Sequence, residues 1–468
     1  MSRNRGNPNP PLSVLSDLGV SNPLPNPKFK IKNPKSPPPP YPPPMTLSPI
    51  YRKVAFRLIP ILFSCYILAY IDRVNVGFAK LAMHDVPWFS DAVFATGAGI
   101  FFLGYFLFEV PANLILQRTG ARLWIARIMI SWGIISTLMA FSQGSLSFYL
   151  LRFFLGVAEA GFFPGIILYL TYWFPREHRA HMIALFMTAV AAAGIVGSPI
   201  SGFILQASNG WHGLQSWQWL FILEGVPSIL LGLAVPLLLT DHPSKAHWLS
   251  PQEKSFLLEK LDHEQHQKLS AGEHAFSLKD AFRSTRIWIF CLTQFTIVFG
   301  LYGASFWLPQ IVHDSLTQVD WQIGLYSAIP WACAAFGMVW VCRHSDRKRE
   351  RRLHVGLSAL TAALGFALTA LPGLPGWIIL VTLSIALTGV LATTSCFWSV
   401  PTAILSGTAA AAGIAWINSV GNLAGLVAPE LFRWMKSHHG MSTALLTLAA
   451  IQACAGILAL TIIHPKQT

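Results

Sequence analysis

Two ionisable side chains sit inside a stretch otherwise apolar enough to cross a bilayer, Arg152 and Glu159 in RFFLGVAEAGFFPGIILYLTYWFP, residues 152–175. Seven residues return a helix to within about 20° of the same face and advance it roughly 10 Å, so the base and the acid share one side of a helix. Charges there are costly unless they line water or find partners, which makes them candidates for binding or moving ions. A structural Arg–Glu bridge between helices is the plainer alternative. Gly156, Ala158, Ala160, Gly161 and Gly165 surround the acid with small side chains, which lets a neighbouring helix or a ligand come close. A second group, Tyr70-Ile71-Asp72-Arg73-Val74-Asn75, interrupts another apolar run. A carboxylate beside a guanidinium there can hold a proton, bind an anion or bridge to another helix. Desolvation favours the neutral acid and the guanidinium favours the ionised one, so the balance can switch as a site opens and closes. A pair snorkelling at a helix end is the competing explanation.

The elements that carry these groups follow from composition. The chain has 468 residues, 53% hydrophobic and 11% charged, against about 25% charged in soluble globular proteins. Windows of roughly 20 apolar residues give twelve spans near 54–80, 92–116, 122–142, 146–173, 180–205, 217–240, 286–312, 321–342, 354–372, 376–399, 402–432 and 442–463. Seventeen Trp and 31 Phe suit interfacial anchors and lipid-facing bulk. The long polar segment 241–285 divides the spans six and six. Residues 1–45, ending in PPPPYPPP, cannot bury a core and are expected to form a disordered or polyproline-like tail that lacks the apolar centre of a signal peptide. The expected organisation is therefore a tail (1–45), a first six-helix half (46–240), a linker (241–285) and a second half (286–468).

The net charge of +13 does not point to nucleic acid, because the basic residues cluster in loops after even-numbered spans. Arg118, Arg122 and Arg127 follow the second span and Arg176 and Arg179 the fourth, with six Lys or Arg in 241–285 and six in 343–352. The opposite loops hold only Lys80, Arg433 and Lys436. By the positive-inside rule the even loops and both termini are expected to be cytoplasmic. The six cysteines lie in or beside apolar segments without paired metal spacing, and the fifteen histidines fall in loops or near span ends. No phosphate-cradling Gly-rich Lys motif and no His-Glu-x-x-His are present. No metal, cofactor or catalytic residue is expected. Ala191–Ile195 and Ala410–Ile414 both read AAAGI six spans apart, and basic loops recur after spans two and eight, as two repeated halves would produce. Secondary transporters commonly have such repeats, with a substrate site near the midplane between them.

The stretches YIDRVNVGFA (70–79), RFFLGVAEAGFFPG (152–165), YGASFWLPQIV (302–312), SDRKRERR (345–352) and FWSVPTAILSGTAAAAGIAWINSVGNL (397–423) resemble the major facilitator superfamily, and within it the anion:cation symporters of bacterial phthalate, tartrate, hydroxyphenylacetate and sugar acids. The resemblance covers essentially residues 50–465. It implies an all-α membrane protein of twelve transmembrane helices in two six-helix halves. Carried over by motif, it makes Asp72 and Glu159 the proton-coupling acids and Arg73 and Arg152 the substrate-carboxylate ligands, with Tyr70, Tyr105, Ser395, Trp398 and Asn418 as further pocket residues. Tyr105 could equally be an ordinary packed aromatic. The superfamily's signature after helix 2, a Gly-x-x-x-Asp-Arg-x-Gly-Arg run, is matched here by Gln117 at the Asp position, then Arg118, Gly120 and Arg122. The second copy keeps Asp346-Arg347, with Arg349 in place of Gly. These loops are expected to gate by pairing with helix ends, and the missing first acid leaves the latch of that gate open. Glu109 is expected to pair with a gate arginine.

The function expected is proton-coupled import of a small organic anion across a bacterial inner membrane by alternating access, by a monomer whose partners are the anion, protons and lipid. An exporter or exchanger of the same fold, and a transporter-like receptor that binds without transport, are the alternatives; a membrane enzyme is more remote, since no nucleophile or metal cluster accompanies the buried acids. The charge bias makes a direct prediction. Single cysteines placed at Ser270 and Ser437 should react with an impermeant thiol reagent from opposite sides, and labelling of Ser270→Cys from outside intact cells would overturn the orientation.

Overall fold

The computed structural model describes residues 48–270, 284–348, 350–404 and 408–462; the tail 1–45 lies outside them, as does part of the linker. Every regular element among the described residues is helical. The first half comprises α1 (Pro49–Val74), α2 (Val76–Ala82), α3 (Asp91–Thr119), α4 (Ala121–Leu138), α5 (Ser145–Glu159), α6 (Phe162–Thr171), α7 (Arg176–Met187), α8 (Ala189–Ala207) and α9 (Ser216–Leu238). The linker contributes α10 (Pro251–Ser270). The second half comprises α11 (Thr285–Ser315), α12 (Asp320–Lys348), α13 (Arg352–Thr369), α14 (Gly376–Phe397), α15 (Ser399–Ile404), α16 (Thr408–Asn422), α17 (Ala424–His439) and α18 (Met441–Ile462).

Eleven stretches of these are long and apolar enough to cross a membrane, from Pro49–Ala82 to Met441–Thr461. The twelfth expected span is the pair α16–α17, shifted towards His439 and interrupted at Leu423. Large apolar side chains left on the outside, such as Phe336, Trp340 and Leu237, are tolerable because their solvent is hydrocarbon. Backbone polar groups have no such solvent, which is why a lipid-spanning chain of this kind closes its hydrogen bonds within helices. The helices alternate in direction, so Asp91, Ser216, Ser315 and His439 mark one end of the bundle and the basic loops the other.

The halves meet mainly through α8 against α12 and α3 against α17. Small residues make the first contact possible. A Cβ added at Gly324 would stand 2.4 Å from the Ser198 carbonyl oxygen, and one at Gly202 would stand 2.5 Å from that of Asp320. The two backbones touch at this crossing, as small-residue helix contacts in membranes allow. The linker helix docks on the first half, with Lys53 Nζ 2.8 Å from Glu253 Oε2 and Arg179 Nη2 3.3 Å from Glu264 Oε1. The sequence pattern marked this segment only as polar and long. Gly324→Val should force α8 and α12 apart and destabilise the fold by about 1–3 kcal/mol, the usual cost of overpacking. A detergent thermal-shift measurement with an unchanged melting temperature would contradict the contact.

Candidate functional site

The span that carries Arg152 and Glu159 is not one continuous helix. α5 ends at Glu159, Ala160 turns to φ −55°, ψ 135°, and Gly161 takes φ +82° before α6 begins. The left-handed conformation at 161 is one that glycine adopts without steric cost. The break leaves the acid at the end of a helix, where it meets α1. Arg73 forms an ion pair with Glu159 through Nη2 and donates from Nη1 to the Tyr302 hydroxyl at 2.8 Å. Its guanidinium also lies 5.4 Å from the ring centre of Phe101, 5.7 Å from that of Tyr105 and 5.9 Å from that of Tyr70, within cation–π range. An ion pair therefore does bridge two helices, but Glu159 takes Arg73 as its partner.

Arg152 is fully buried behind this pair. It donates from Nε to the Gly97 carbonyl at 3.0 Å and from Nη2 to the Arg73 carbonyl at 3.3 Å. Its guanidinium also lies 5.2 Å from the ring centre of Phe101, the ring that Arg73 faces. Asp72 points elsewhere again. It accepts from Ser136 Oγ at 2.6 Å, Trp132 Nε1 at 3.0 Å and Ser228 Oγ at 2.6 Å, in a cage made by α4 and α9. The sequence neighbours Asp72 and Arg73 thus serve opposite sides of α1.

Arg73 opens onto a cavity between the halves, with about 60 Å³ available to water-sized occupants. Tyr70, Tyr105, Ser395, Trp398 and Asn418 line it, as expected, while Arg152, Asp72 and Glu159 do not. Tyr302, Gln294, Met338 and Thr394 also line it, and sequence inspection singled out none of them. Glu109 corrects an expectation, because its partners are not gate arginines. It accepts from Asn418 Nδ2 at 2.9 Å and from the Ser419 hydroxyl, both on α16 of the opposite half. A buried acid in the first half thereby binds the second half directly.

The basic loops supply a latch for the missing acid. Gly120 adopts φ +87° between α3 and α4. The Arg122 backbone N–H donates to Asp241 Oδ1 at 2.9 Å, and Arg122 Nε lies 3.6 Å from Asp241 Oδ2. The carboxylate that Gln117 does not provide comes from the end of α9. Arg118, in the last turn of α3, is exposed; in the second half Asp346 pairs with Arg351 and Arg347 lies in the last turn of α12. At the opposite end, Asp91 sits 3.0 Å from Lys80 Nζ and 3.4 Å from Lys436 Nζ of the other half. Lys80 also donates to Gln310 at 3.1 Å, and Trp307 faces Lys80 at 4.2 Å and Lys436 at 5.1 Å. Ion pairs and ring contacts join the halves at the Asp91 end.

Twelve spans in two halves around a central polar cavity define a secondary transporter. Residues 62–429 match the Major Facilitator Superfamily, and the chain belongs to that family. It is 47% identical over 84% of its length to a "Putative tartrate transporter" of Agrobacterium vitis, covering 86% of that protein. It is 39% identical over 89% of its length to a "Quinolone resistance transporter" of Acinetobacter baumannii, covering 95% of that protein. The inward-open xylose transporter XylE from E. coli shares the fold, with a TM-score of 0.70 over 87% of this chain and 96% of that one at 14% identity. Members of this family carry solutes and are not enzymes.

The Asp91 contacts generate a test. Exposed ion pairs contribute about 0.2–1 kcal/mol, equivalent to roughly 1.4- to 5-fold in an equilibrium. Asp91→Asn should raise by that factor the rate at which a thiol reagent labels Ser305→Cys from the Asp91 end, in a background without native cysteines. An unchanged rate would show that these contacts do not hold that end shut.

Proposed function

We propose that the protein imports a small organic carboxylate together with protons. The observation that carries this is the Arg73–Glu159 ion pair at the cavity wall. A buried guanidinium requires a counter-charge, and removing one partner of such a pair leaves an uncompensated charge at a cost of several kcal/mol. With no substrate present, Glu159 fills that role. A substrate carboxylate can take its place on Arg73 once Glu159 becomes neutral by binding a proton. Anion and proton then enter as one electrically balanced event, and the site favours neither alone.

The surrounding groups suit this exchange. Tyr302 keeps one edge of the Arg73 guanidinium oriented, the aromatic side chains of Phe101, Tyr105 and Tyr70 exclude water around it, and Arg152 holds the Arg73 backbone in place. Asn418, Ser395 and Trp398 on the second half offer contacts to the remainder of the substrate. Organic acids of the tartrate class fit this reading, and the relative named for tartrate transport supports it. With the basic loops assigned to the cytoplasm, the Asp91 contacts close the outer side, and the bacterial relatives support a location in the inner membrane. Efflux is the second reading, favoured by the relative named for quinolone resistance. The two differ in whether an inward pH gradient drives accumulation or extrusion.

In proteoliposomes, Glu159→Gln should keep substrate exchange and lose accumulation driven by a pH gradient, because Arg73 is freed permanently and no proton is released. Normal pH-driven accumulation by this variant would remove Glu159 from coupling. Arg73→Lys cannot serve Tyr302 and a carboxylate with one planar fork. Loss of a charge-assisted hydrogen bond of about 1.5–3 kcal/mol predicts a KM raised roughly 10- to 100-fold. Wild-type KM in Arg73→Lys would exclude the carboxylate-binding role.

A further inference from the structure

A second, smaller cavity lies on the other face of α1, with about 20 Å³ open to water, lined in part by Ile71, Asn75, Ser198, Ser201, Ser305 and Trp331. It is enough for one water molecule. Asn75 is 1% exposed and lies beside Glu224, with no hydrogen bond of ordinary geometry to its Nδ2 or Oδ1. Ser201, on the cavity wall, donates at 2.6 Å to Oε1 of Glu224, whose Oε2 is unpartnered. Glu224 is 4% exposed and takes no part in the exchange at Arg73. It precedes Ser228 by four residues on α9, and residues so spaced share a helix face; Ser228 is a ligand of Asp72. Asn75 follows Asp72 by three residues on α1. Two acids, a buried amide and two hydroxyls thus form a strip between α1, α8 and α9.

Among the described residues no base forms an ion pair with this strip; Arg152 on α5 is the cation that reaches Asp72 electrostatically, and its hydrogen bonds go to the Gly97 and Arg73 carbonyls. On α1, Arg73 is committed to Glu159 and Tyr302, while Arg52, Lys53 and Arg57 lie at least fifteen residues away, roughly 22 Å along the helix. On α4, Arg122 is bound at Asp241 and Arg127 stacks on Trp124 at 3.9 Å, both near the basic loops. α8 has no charged residue, and on α2 Lys80 is held by Asp91 and Gln310. Asp72 is the charged group that acts on Glu224. Buried carboxyls without a cation are tolerated when they carry protons. The cavity is walled off from the substrate cavity by Tyr70, whose hydroxyl bonds Ser305 at 3.1 Å and whose ring meets Trp331 edge-on at 6.0 Å.

We propose that Glu224 is a proton-binding carboxyl in series with Asp72, supplied through the water cavity at Asn75 and separate from the substrate path. This rests on the proton-coupled reading above. In each cycle the pair takes one proton from water on one face and returns one to water on the other, and only O–H bonds are made and broken. Glu224 lies eight residues from the start of α9, roughly 12 Å below the Asp91 end, so it is the member of the pair closer to that side.

The test measures the proton-to-substrate ratio in proteoliposomes from the pH gradient that just balances a known substrate gradient. Glu224→Gln should lower the ratio by one and leave substrate exchange and its KM unchanged. Asp72→Asn should likewise lower the ratio by one, and the double variant should lower it no further than either alone, while Glu224→Asp should restore the ratio. In the infrared spectrum, Glu224→Gln should remove one titrating protonated-carboxyl C=O band. A wild-type ratio and an intact band in Glu224→Gln overturn the inference but leave import with protons standing. A wild-type protein indifferent to the pH gradient overturns both. Dependence on Na⁺ that disappears in Glu224→Gln overturns the proton assignment. Where Glu224→Gln fails to fold, Asn75→Leu and Ser201→Ala take its place, and proton-driven uptake at the wild-type rate in both overturns the inference.

Discussion

A guanidinium held between helices in hydrocarbon needs a carboxylate or carbonyl oxygens facing it, and the arrangement of this protein follows from how Arg73 meets that need. Glu159 is placed at the end of α5 by the glycine-permitted break at 161, within reach of α1. Tyr302 fixes the other edge of the guanidinium from across the interface between halves. Arg152 could have competed for the acid, but it directs Nε and Nη2 at the Gly97 and Arg73 carbonyls, and Glu159 pairs with Arg73. On the import reading proposed above, Arg73 is the cation that faces the cavity and Glu159 its replaceable counter-ion. A second free arginine there would bind an anion without requiring a proton, and the coupling would loosen.

The two halves make unequal contributions. Asp72, Arg73, Glu109, Arg152, Glu159 and Glu224 all belong to the first half, whereas the second half presents Tyr302, Ser305, Asn418 and Ser419. Neutral hydrogen-bonding groups can be exchanged for water or substrate at modest net cost, since a typical hydrogen bond contributes about 0.5–1.5 kcal/mol. Ionic partners cannot be separated so cheaply in a buried setting. Keeping the charges on one body lets the halves move against each other without splitting an ion pair in the membrane interior. The ion pair that does cross between halves, Lys436 with Asp91, sits at the end of the bundle where Asp91 is exposed and water can take over.

Much of this was legible in the sequence. Apolar windows located the spans, and the motif around Tyr70–Asn75 located the site. Six of the seven residues expected to bind substrate line the cavity. The seventh, Arg152, lies behind the cavity wall; helical spacing gives the face a residue occupies but not which helix fills the space in front of it. The same limit hid Asp72, one residue from Arg73 and roughly 100° around the helix, in a cage of hydroxyls and an indole. Gly161 was visible only as a small residue, since φ cannot be read from composition. Tyr302 was recoverable in principle. It stands sixteen residues into the seventh expected span, as Tyr70 does in the first, so the internal repeat pairs the two tyrosines that flank Arg73. Asp241 was not recoverable, because nothing local marks a carboxylate at the end of α9 as the partner of a loop more than a hundred residues earlier.

The seams between the halves bear on how binding becomes movement. One seam, at the Asp91 end, is built from ion pairs and the Trp307 ring. The other is buried, where Glu109 holds Asn418 and Ser419 beside the cavity. Asn418 belongs to both the buried seam and the cavity wall. On the import reading, a substrate that draws the Asn418 amide away from Glu109 weakens the buried seam, and occupancy of the cavity is then linked to the strength of that seam. A ligand can shift a conformational equilibrium only by the difference in its affinity for the two states. On the import reading, Asn418 supplies such a difference if its amide turns from Glu109 to the ligand as the seam loosens.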